Sequence, residues 1–326
     1  MLILRHDDVA STLTMELAID AMRDVFCLQS EGLADTPRRL DVPAGGGWLR
    51  LMPVAIGGLN TFGFKAMNLA PRVGVRYAIW IYDLPSGELR GILDARLITA
   101  MRTAASTAVA TDLMARKNVD RLAVIGTGAE ARHHLAAMRL VRPASQVAVY
   151  SRSSANRAAF VTDMADPLVD ELVACSSVEE AVDGADLVVL ATKSPTPVLA
   201  ASHLRAGMHV NSIGAARGDQ YELTTDAFAR FDAIVCDSAV QVFSEAGDAI
   251  VARRADEGLF TAAANLSDAV ARRVRGRSHD DDITLYKSVG LATQDVALAH
   301  AVLARAEQAG LGTDAGDLLS LKAVGR

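Results

Sequence analysis

Between about residues 118 and 285 the chain alternates short, almost wholly apolar runs with alanine-rich stretches whose apolar residues recur every three to four positions. The runs are RLAVIG (121–126), QVAVYS (146–151), ELVACS (171–176), DLVVLAT (186–192), MHVNSIG (208–214) and AIVCDS (233–238). Strands that are apolar on both faces and separated by helices predict an α/β architecture, a doubly wound parallel sheet covered on both sides. The first hundred residues follow other periods. A helix is predicted over about 11–30, then three strand-like runs, WLRLMPVAI, FGFKAMN and VRYAIWIYDLPSGELRGIL. The Leu84-Pro85-Ser86-Gly87 turn inside the third predicts an antiparallel hairpin. Residues 95–115 read as one alanine-rich helix, and LATQDVALAHAVLARAEQAG after residue 288 as another, stopped at Gly310. The expected layout is a first α+β domain over 1–117, a parallel-sheet domain over 118–287, and a segment, 288–326, that returns to complete the first.

Composition mainly excludes. Half of the 326 residues are apolar (51%), so two sizeable cores are available. The net charge is −6 and no basic block occurs, which speaks against nucleic acid or an anionic membrane as partner. Cys27, Cys175 and Cys236 are odd in number and far apart, as expected of free thiols rather than a disulfide frame or zinc site. MLILRHDDVA carries acids where a signal peptide needs an apolar run, and no apolar stretch reaches the ~18 residues of a membrane span. The expectation is a soluble cytoplasmic protein. ARRVRGRSHDDD (271–282) is mixed in charge and reads as a surface turn.

The first chemistry lies at Gly126-Thr127-Gly128-Ala129-Glu130-Ala131, a GxGxxA turn between a predicted strand and a predicted helix. Gly126 permits the tight turn, Gly128 lets a pyrophosphate approach the backbone, and Ala131 lets the helix pack close to the sheet. The helix start offers free amides and a partial positive charge to phosphate. A Rossmann-type dinucleotide site is therefore expected here. At the end of the second strand, where an NAD site places an acid for the ribose hydroxyls, stand Ser151-Arg152-Ser153-Ser154, with Arg157 following. Hydroxyls and a guanidinium suit a 2′-phosphate, so NADPH is the expected cofactor, with NADH as the lesser alternative.

Three cations stand out in the first domain. Lys65 interrupts the otherwise apolar or small FGFKAMN, Arg102 sits in the alanine-rich TAMRTAAS, and Arg38 follows Pro37 ahead of the first strand. Singly, each reads as a snorkelling side chain; together they form a set that can grip one carboxylate.

With these residues in place, the chain resembles the ornithine cyclodeaminase/μ-crystallin family over nearly its whole length. The resemblance rests on Pro37-Arg38, Leu51-Met52-Pro53, Phe64-Lys65, Arg102-Thr103-Ala104-Ala105, the Gly126–Ala131 turn, Asn211-Ser212-Ile213-Gly214 and Ser288-Val289-Gly290. It implies a homodimer whose N-terminal domain, completed by the C-terminal helix, forms the interface. It assigns the substrate carboxylate to Arg38, Lys65 and Arg102, and places Met52 and Val289 beside the substrate. It puts the cofactor on Thr103, the glycine turn, Ser151, Thr192, Asn211, Ser212, Ile213, Gly214 and Ser288, with no metal.

Two departures from the family pattern bear on the reaction. The cyclodeaminases carry an aspartate two positions after the strand-end glycine; aligning IGAARGDQYEL places Ala216 there, with Asp219 three residues further on. A cofactor-contacting threonine of the family falls at Gly74, with Arg76 nearby as a further anion-binding candidate. Cyclodeamination needs the missing acid–base group, whereas reduction of a preformed imine needs fewer groups. The leading expectation is thus an NADPH-dependent reductase of cyclic imino acids, with Lys65 either as proton donor or as a carboxylate clamp alone. The alternatives are an amino-acid dehydrogenase acting on a 2-oxo acid with ammonia or an amine, an ammonia-lyase of the cyclodeaminase type, and a non-catalytic NADPH-dependent binding protein. His133-His134 point to different helix faces and make no metal site. Asp280-Asp281-Asp282 read as a solvated turn, and Ser244–Asp248 receive no role.

Overall fold

A computed structural model describes residues 1–166 and 171–320. In chain order its elements begin with β1 (Leu2–Leu4), α1 (His6–Thr12), α2 (Met15–Ser30), β2 (Ala34–Asp35), β3 (Leu40–Ala44), β4 (Gly47–Ile56), β5 (Thr61–Ala70), β6 (Gly74–Asp83), β7 (Leu89–Asp94) and α3 (Arg96–Met114). There follow β8 (Arg121–Ile125), α4 (Ala129–Val141), β9 (Gln146–Tyr150), α5 (Ser154–Asp163), β10 (Glu171–Ala174), α6 (Val178–Val182), β11 (Leu187–Leu190) and β12 (His209–Ser212). The chain continues through α7 (Thr225–Phe228), β13 (Ala233–Cys236), α8 (Ala239–Glu245), α9 (Gly247–Ala255), α10 (Glu257–Ala262), β14 (Ala264–Asn265), α11 (Leu266–Val270), β15 (Thr284–Lys287), α12 (Ala292–Ala309) and β16 (Thr313–Asp314).

Two units result, one from Met1–Arg102 with the residues from Leu291 onward, the other from Thr103–Gly290. The first division falls inside α3 rather than after it, so the helix expected to close the first domain belongs to both units. The C-terminal helix joins the first unit.

In the first unit the strand order is β16-β1-β7-β6-β5-β4-β2, with β3 paired to β4. Alternation along the strands decides which side chains are covered. Thr61, Gly63 and Lys65 of β5, Met52, Val54 and Ile56 of β4, and Ile79 and Ile81 of β6 are buried on one face. Helix α12 packs against β4, β5 and β6 and against α2. The fit is close: a Cβ on Gly91 of β7 would meet Leu303 of α12 at 3.0 Å. The single helix predicted over 11–30 breaks at Leu13, and Thr14 restarts it by accepting a hydrogen bond from the Leu17 amide at its hydroxyl. The predicted hairpin forms between β6 and β7, its turn held by Asp83, which accepts from the Ser86 amide and hydroxyl.

In the second unit every pairing is parallel, in the order β10-β9-β8-β11-β12-β15-β13-β14. The chain winds outward from β8 through β9 to β10, then returns to the other side of β8 at β11. That reversal opens a crevice beyond the carboxyl ends of β8 and β11, where dinucleotides bind in folds of this type. The six predicted runs are β8 to β13. A further strand, β15, inserts between β12 and β13, and its sequence TLYK had no place in the expected alternation.

Candidate functional site

The first unit gathers its charges on the covered face of the sheet. Lys65 stands mid-strand, opposite Met52 on β4 and Ile79 on β6, and is fully buried. Its Nζ lies 2.6 Å from Oδ2 of Asp295, in the first turn of α12. Arg102 Nε donates to the other oxygen of Asp295 at 2.8 Å, and its Nη1 donates to Oε1 of Gln294 at 2.8 Å. One carboxylate thus joins a strand lysine to a helix arginine. Burial brings the Lys65 ammonium down to about 8; Asp295 opposes that fall, while the charges of Arg102 and Arg39 add to it. Burial alone would raise the Asp295 carboxyl, yet the charges of Arg102 and Lys65 outweigh it and hold it below its usual value. Lys65 and Arg102 thus meet on one carboxylate in a buried site, an arrangement of cations suited to gripping an anion.

Neither Asp295 nor Gln294 stands out in the local sequence. An acid in the first turn of a helix is ordinary on dipole grounds, and that masked Asp295. Of the two adjacent arginines, Arg38 is exposed, whereas Arg39 is half-buried and its charge acts on Lys65 and on Asp41. The structure therefore brings Arg39, not Arg38, towards the buried cluster. Arg76 is exposed on β6.

In the second unit, Gly126 has φ +121°, and a Cβ there would stand 2.5 Å from the Ala191 carbonyl oxygen, so no other residue fits. Gly128 caps α4 with no side-chain hydrogen bond, and the space where its Cβ would be is open within 4 Å. Ala131 is fully buried against the sheet. An uncapped helix start behind an open glycine fits a pyrophosphate. The Thr127 hydroxyl donates to Ser151 Oγ at 3.1 Å, tying the turn to the end of β9. Ser153 caps α5, Arg157 Nη1 donates to the Ser151 carbonyl while its guanidinium covers the Tyr150 ring, and Arg152 is exposed. Glu130 lies in the first turn of α4. His134, fully buried, bonds Thr107 of α3 through Nε2 at 3.0 Å.

The other expected cofactor residues sit at strand ends, and several turn inward. Asn211 donates to Thr111 Oγ1 at 2.9 Å and lies 3.2 Å from Nε2 of His209, whose imidazole burial drives down to about 3. The Ser212 hydroxyl accepts from Lys287 Nζ and donates to Glu222. Thr103, Thr192 and Gly214 are half-buried, and Ile213 is buried with its amide bonded to the Leu190 carbonyl. Ser288 Oγ and the amides of Val289 and Gly290 converge on Asp237, a buried carboxylate that fixes this turn; the Val289 side chain packs into the core of the second unit. Ala216 stands half-buried where the lyases carry their aspartate, and Asp219 is spent at the surface in a two-bond pair with Arg217. Asp282 caps the 278–279 turn, and Asp248 of the unassigned segment is buried beside Lys287. Among the described residues no cluster of three or more His, Cys, Asp or Glu is placed to hold a metal ion, and no helix is long and apolar enough to cross a membrane.

The sequence model of the ornithine cyclodeaminase/mu-crystallin family matches residues 1–310. A Δ1-pyrroline-2-carboxylate reductase of Bacillus cereus (strain ZK / E33L) is 31% identical over 271 residues, 80% of this chain and 82% of that protein. The Thermococcus litoralis Δ1-pyrroline-2-carboxylate reductase, solved with NADH and L-proline, superposes with a TM-score of 0.90 at 30% identity, covering 96% of this chain and 100% of that one. An archaeal alanine dehydrogenase dimer with bound NAD gives 0.89 at 28% identity, covering 96% and 98%.

Proposed function

Because the chain belongs to the ornithine cyclodeaminase/mu-crystallin family and is a nicotinamide-dependent oxidoreductase of the imino-acid reductase kind, we propose that it reduces Δ1-pyrroline-2-carboxylate or Δ1-piperideine-2-carboxylate to L-proline or L-pipecolate. The observation that carries this reading is the meeting of two buried cations, Lys65 and Arg102, on the Asp295 carboxylate. Arg102 and Lys65 offer a substrate carboxylate charge-assisted hydrogen bonds. The position of Ala216 supplies no acid–base group, which favours reduction of a ready-made imine over cyclodeamination.

A bound nicotinamide in its reduced form supplies the hydride. The chain's own part is to hold the carboxylate and to place a proton. Lys65, at about 8, is charged at neutral pH yet close to giving its proton up, as a general acid should be. It protonates the imine nitrogen as the C=N carbon receives hydride, so the π pair becomes an N–H bond, and Lys65 regains its proton from solvent. Asp295 keeps the ammonium in place and sustains its charge.

NADPH is the preferred reductant in this reading. The end of β9 presents Ser151, Arg152 and Ser153 with no acid to repel a 2′-phosphate, and Arg157 is fastened behind them. The gripping turn is Gly126–Ala131, with Thr127 bracing Ser151. The partner is a second copy of the chain. On the face of β5 and β6 opposite Lys65, Phe62 stacks on Tyr82 at 5.3 Å and Phe64 on Trp80 at 4.9 Å, all half-buried in the single chain. An apolar face of this kind marks an interface.

The test is NADPH consumption, followed by its absorbance, with each cyclic imine, with pyruvate plus ammonia, and with pyruvate plus methylamine. Consumption with a cyclic imine alone is expected. Turnover only with the oxo acid and an amine would make the protein an amino-acid dehydrogenase, and ammonia release from ornithine would make it a lyase. Bound NADPH with no turnover on any of them would overturn the reductase reading.

A further inference from the structure

One buried carboxylate binds together the ends of two neighbouring strands of the second unit. Glu222 Oε1 accepts from the Thr192 amide at 2.7 Å and the Thr192 hydroxyl at 3.0 Å, just past β11. Its Oε2 accepts from the Ser212 hydroxyl at 2.8 Å and the Gly214 amide at 3.0 Å, at the end of β12. A Cβ on Gly214 would overlap the Thr192 backbone and the carboxylate, so the fit admits only glycine. The charged groups facing Glu222 are Lys287 at the end of β15, which donates to Ser212 Oγ at 2.8 Å, and Asp248 in the first turn of α9, which pairs with Lys287 at 3.0 Å and accepts from the Glu222 amide.

In a doubly wound sheet the strands on the two sides of the switch point each bind one half of a dinucleotide. The glycine turn and the end of β9 are on the adenosine side; β11 and β12 are on the nicotinamide side. We propose that Glu222 is a positioning residue for the nicotinamide half of the bound dinucleotide, setting the backbone at Thr192 and Gly214 and committing the Thr192 proton inward. That commitment leaves Thr192 Oγ1 an acceptor, the partner a carboxamide N–H requires. The inference rests on the nucleotide-binding reading of this unit.

Full acceptance of four donors needs the ionised carboxylate; a proton on either oxygen displaces one of them. Burial pushes the Glu222 carboxyl up to about 6, against the attraction of Lys287 and the hydrogen bonds of Thr192 and Ser212, with Asp248 adding to the rise. Acidification through pH 6 therefore loosens the nicotinamide side and leaves the adenosine side intact.

Dissociation constants of NAD+ and of ADP-ribose, measured by calorimetry on the whole protein from pH 5 to pH 8, separate the two halves. Neither ligand carries a 2′-phosphate, whose own titration near ~6 would intrude. The wild type should lose NAD+ affinity by about tenfold below pH 6, the worth of one hydrogen bond to a charged group, while ADP-ribose stays level. Glu222→Gln, which turns N–H donors towards donors, should bind NAD+ about tenfold more weakly at pH 7.5, without the acid step, and ADP-ribose as before. Equal binding of NAD+ by wild type and variant, or equal loss of both ligands, would overturn the proposal. A variant that does not fold leaves the wild-type comparison to decide, where parallel pH profiles for the two ligands would overturn it. Failure of the wild type to bind either ligand would instead refute the nucleotide-binding reading itself.

Discussion

Replacing Asp295 by asparagine strikes the charge cluster at its centre. The variant keeps the side chain's shape but removes the carboxylate that holds Lys65 at 2.6 Å and Arg102 at 2.8 Å, all three being buried. Deleting one partner of a buried pair costs about 3–5 kcal/mol, because the remaining charges lose their counter-ion. At roughly 2–4 °C per kcal/mol, the melting temperature should fall on the order of 10 °C. The Lys65 proton responds as well. Asp295 opposes the burial that already brings the ammonium down to about 8, so without it Lys65 titrates lower still. The charged donor exists below that value and is lost above it. The alkaline limb of kcat/KM with a cyclic imine should therefore lie near pH 8 in the wild type and shift to lower pH in Asp295→Asn. Stability has its own sign: the folded value lies below the ordinary 10.5, so the folded chain sheds this proton before the unfolded one, and the Lys65 contribution to stability grows as pH rises from about 8 towards 10.5. Thermal unfolding and steady-state kinetics across pH read both effects. An unmoved alkaline limb with an unchanged melting temperature would refute the charge-cluster account.

Four further substitutions probe the substrate grip, the cofactor choice and the interface. Arg39→Ala should raise KM for the imino acid about tenfold, whereas Arg38→Ala should leave it within about twofold; the reverse ranking would restore Arg38 as the substrate ligand. Arg152→Asp should swing the ratio of NADPH to NADH efficiency towards NADH by on the order of 100-fold, and an unchanged ratio would remove the 2′-phosphate argument. Trp80→Asp, placed on the stacked aromatic face, should convert a dimer into a monomer in sedimentation velocity; a variant that remains dimeric would place the interface elsewhere.

The sequence made the second unit readable because each of β8 to β13 is a short apolar run between helical periods. β15 escaped because TLYK carries a polar residue at each end, and burial of Thr284 and Lys287 depends on partners distant in the chain. Lys65 was legible as a charge out of place in an apolar strand, but its partner Asp295 was not, since it lies 230 positions away and suits its helix start on local grounds. The resemblance points to Arg38, whereas the half-burial of Arg39 is set by tertiary packing, because neighbours in extended chain face opposite ways. Asn211 and Ser212 show the same limit: a motif at a strand end gives the backbone's place, while their side chains turn towards Thr111 and Glu222 in the interior.

The central claim is that this chain reduces a cyclic imino acid held by Lys65 and Arg102. Its most direct measurement is the product formed from Δ1-pyrroline-2-carboxylate and NADPH, resolved by chiral chromatography and set against NADPH consumed. The account predicts L-proline in equal amount to the NADPH oxidised, a yield abolished in Arg102→Ala while NADPH binding persists. No proline from the wild-type protein, with NADPH bound to it, would contradict the claim.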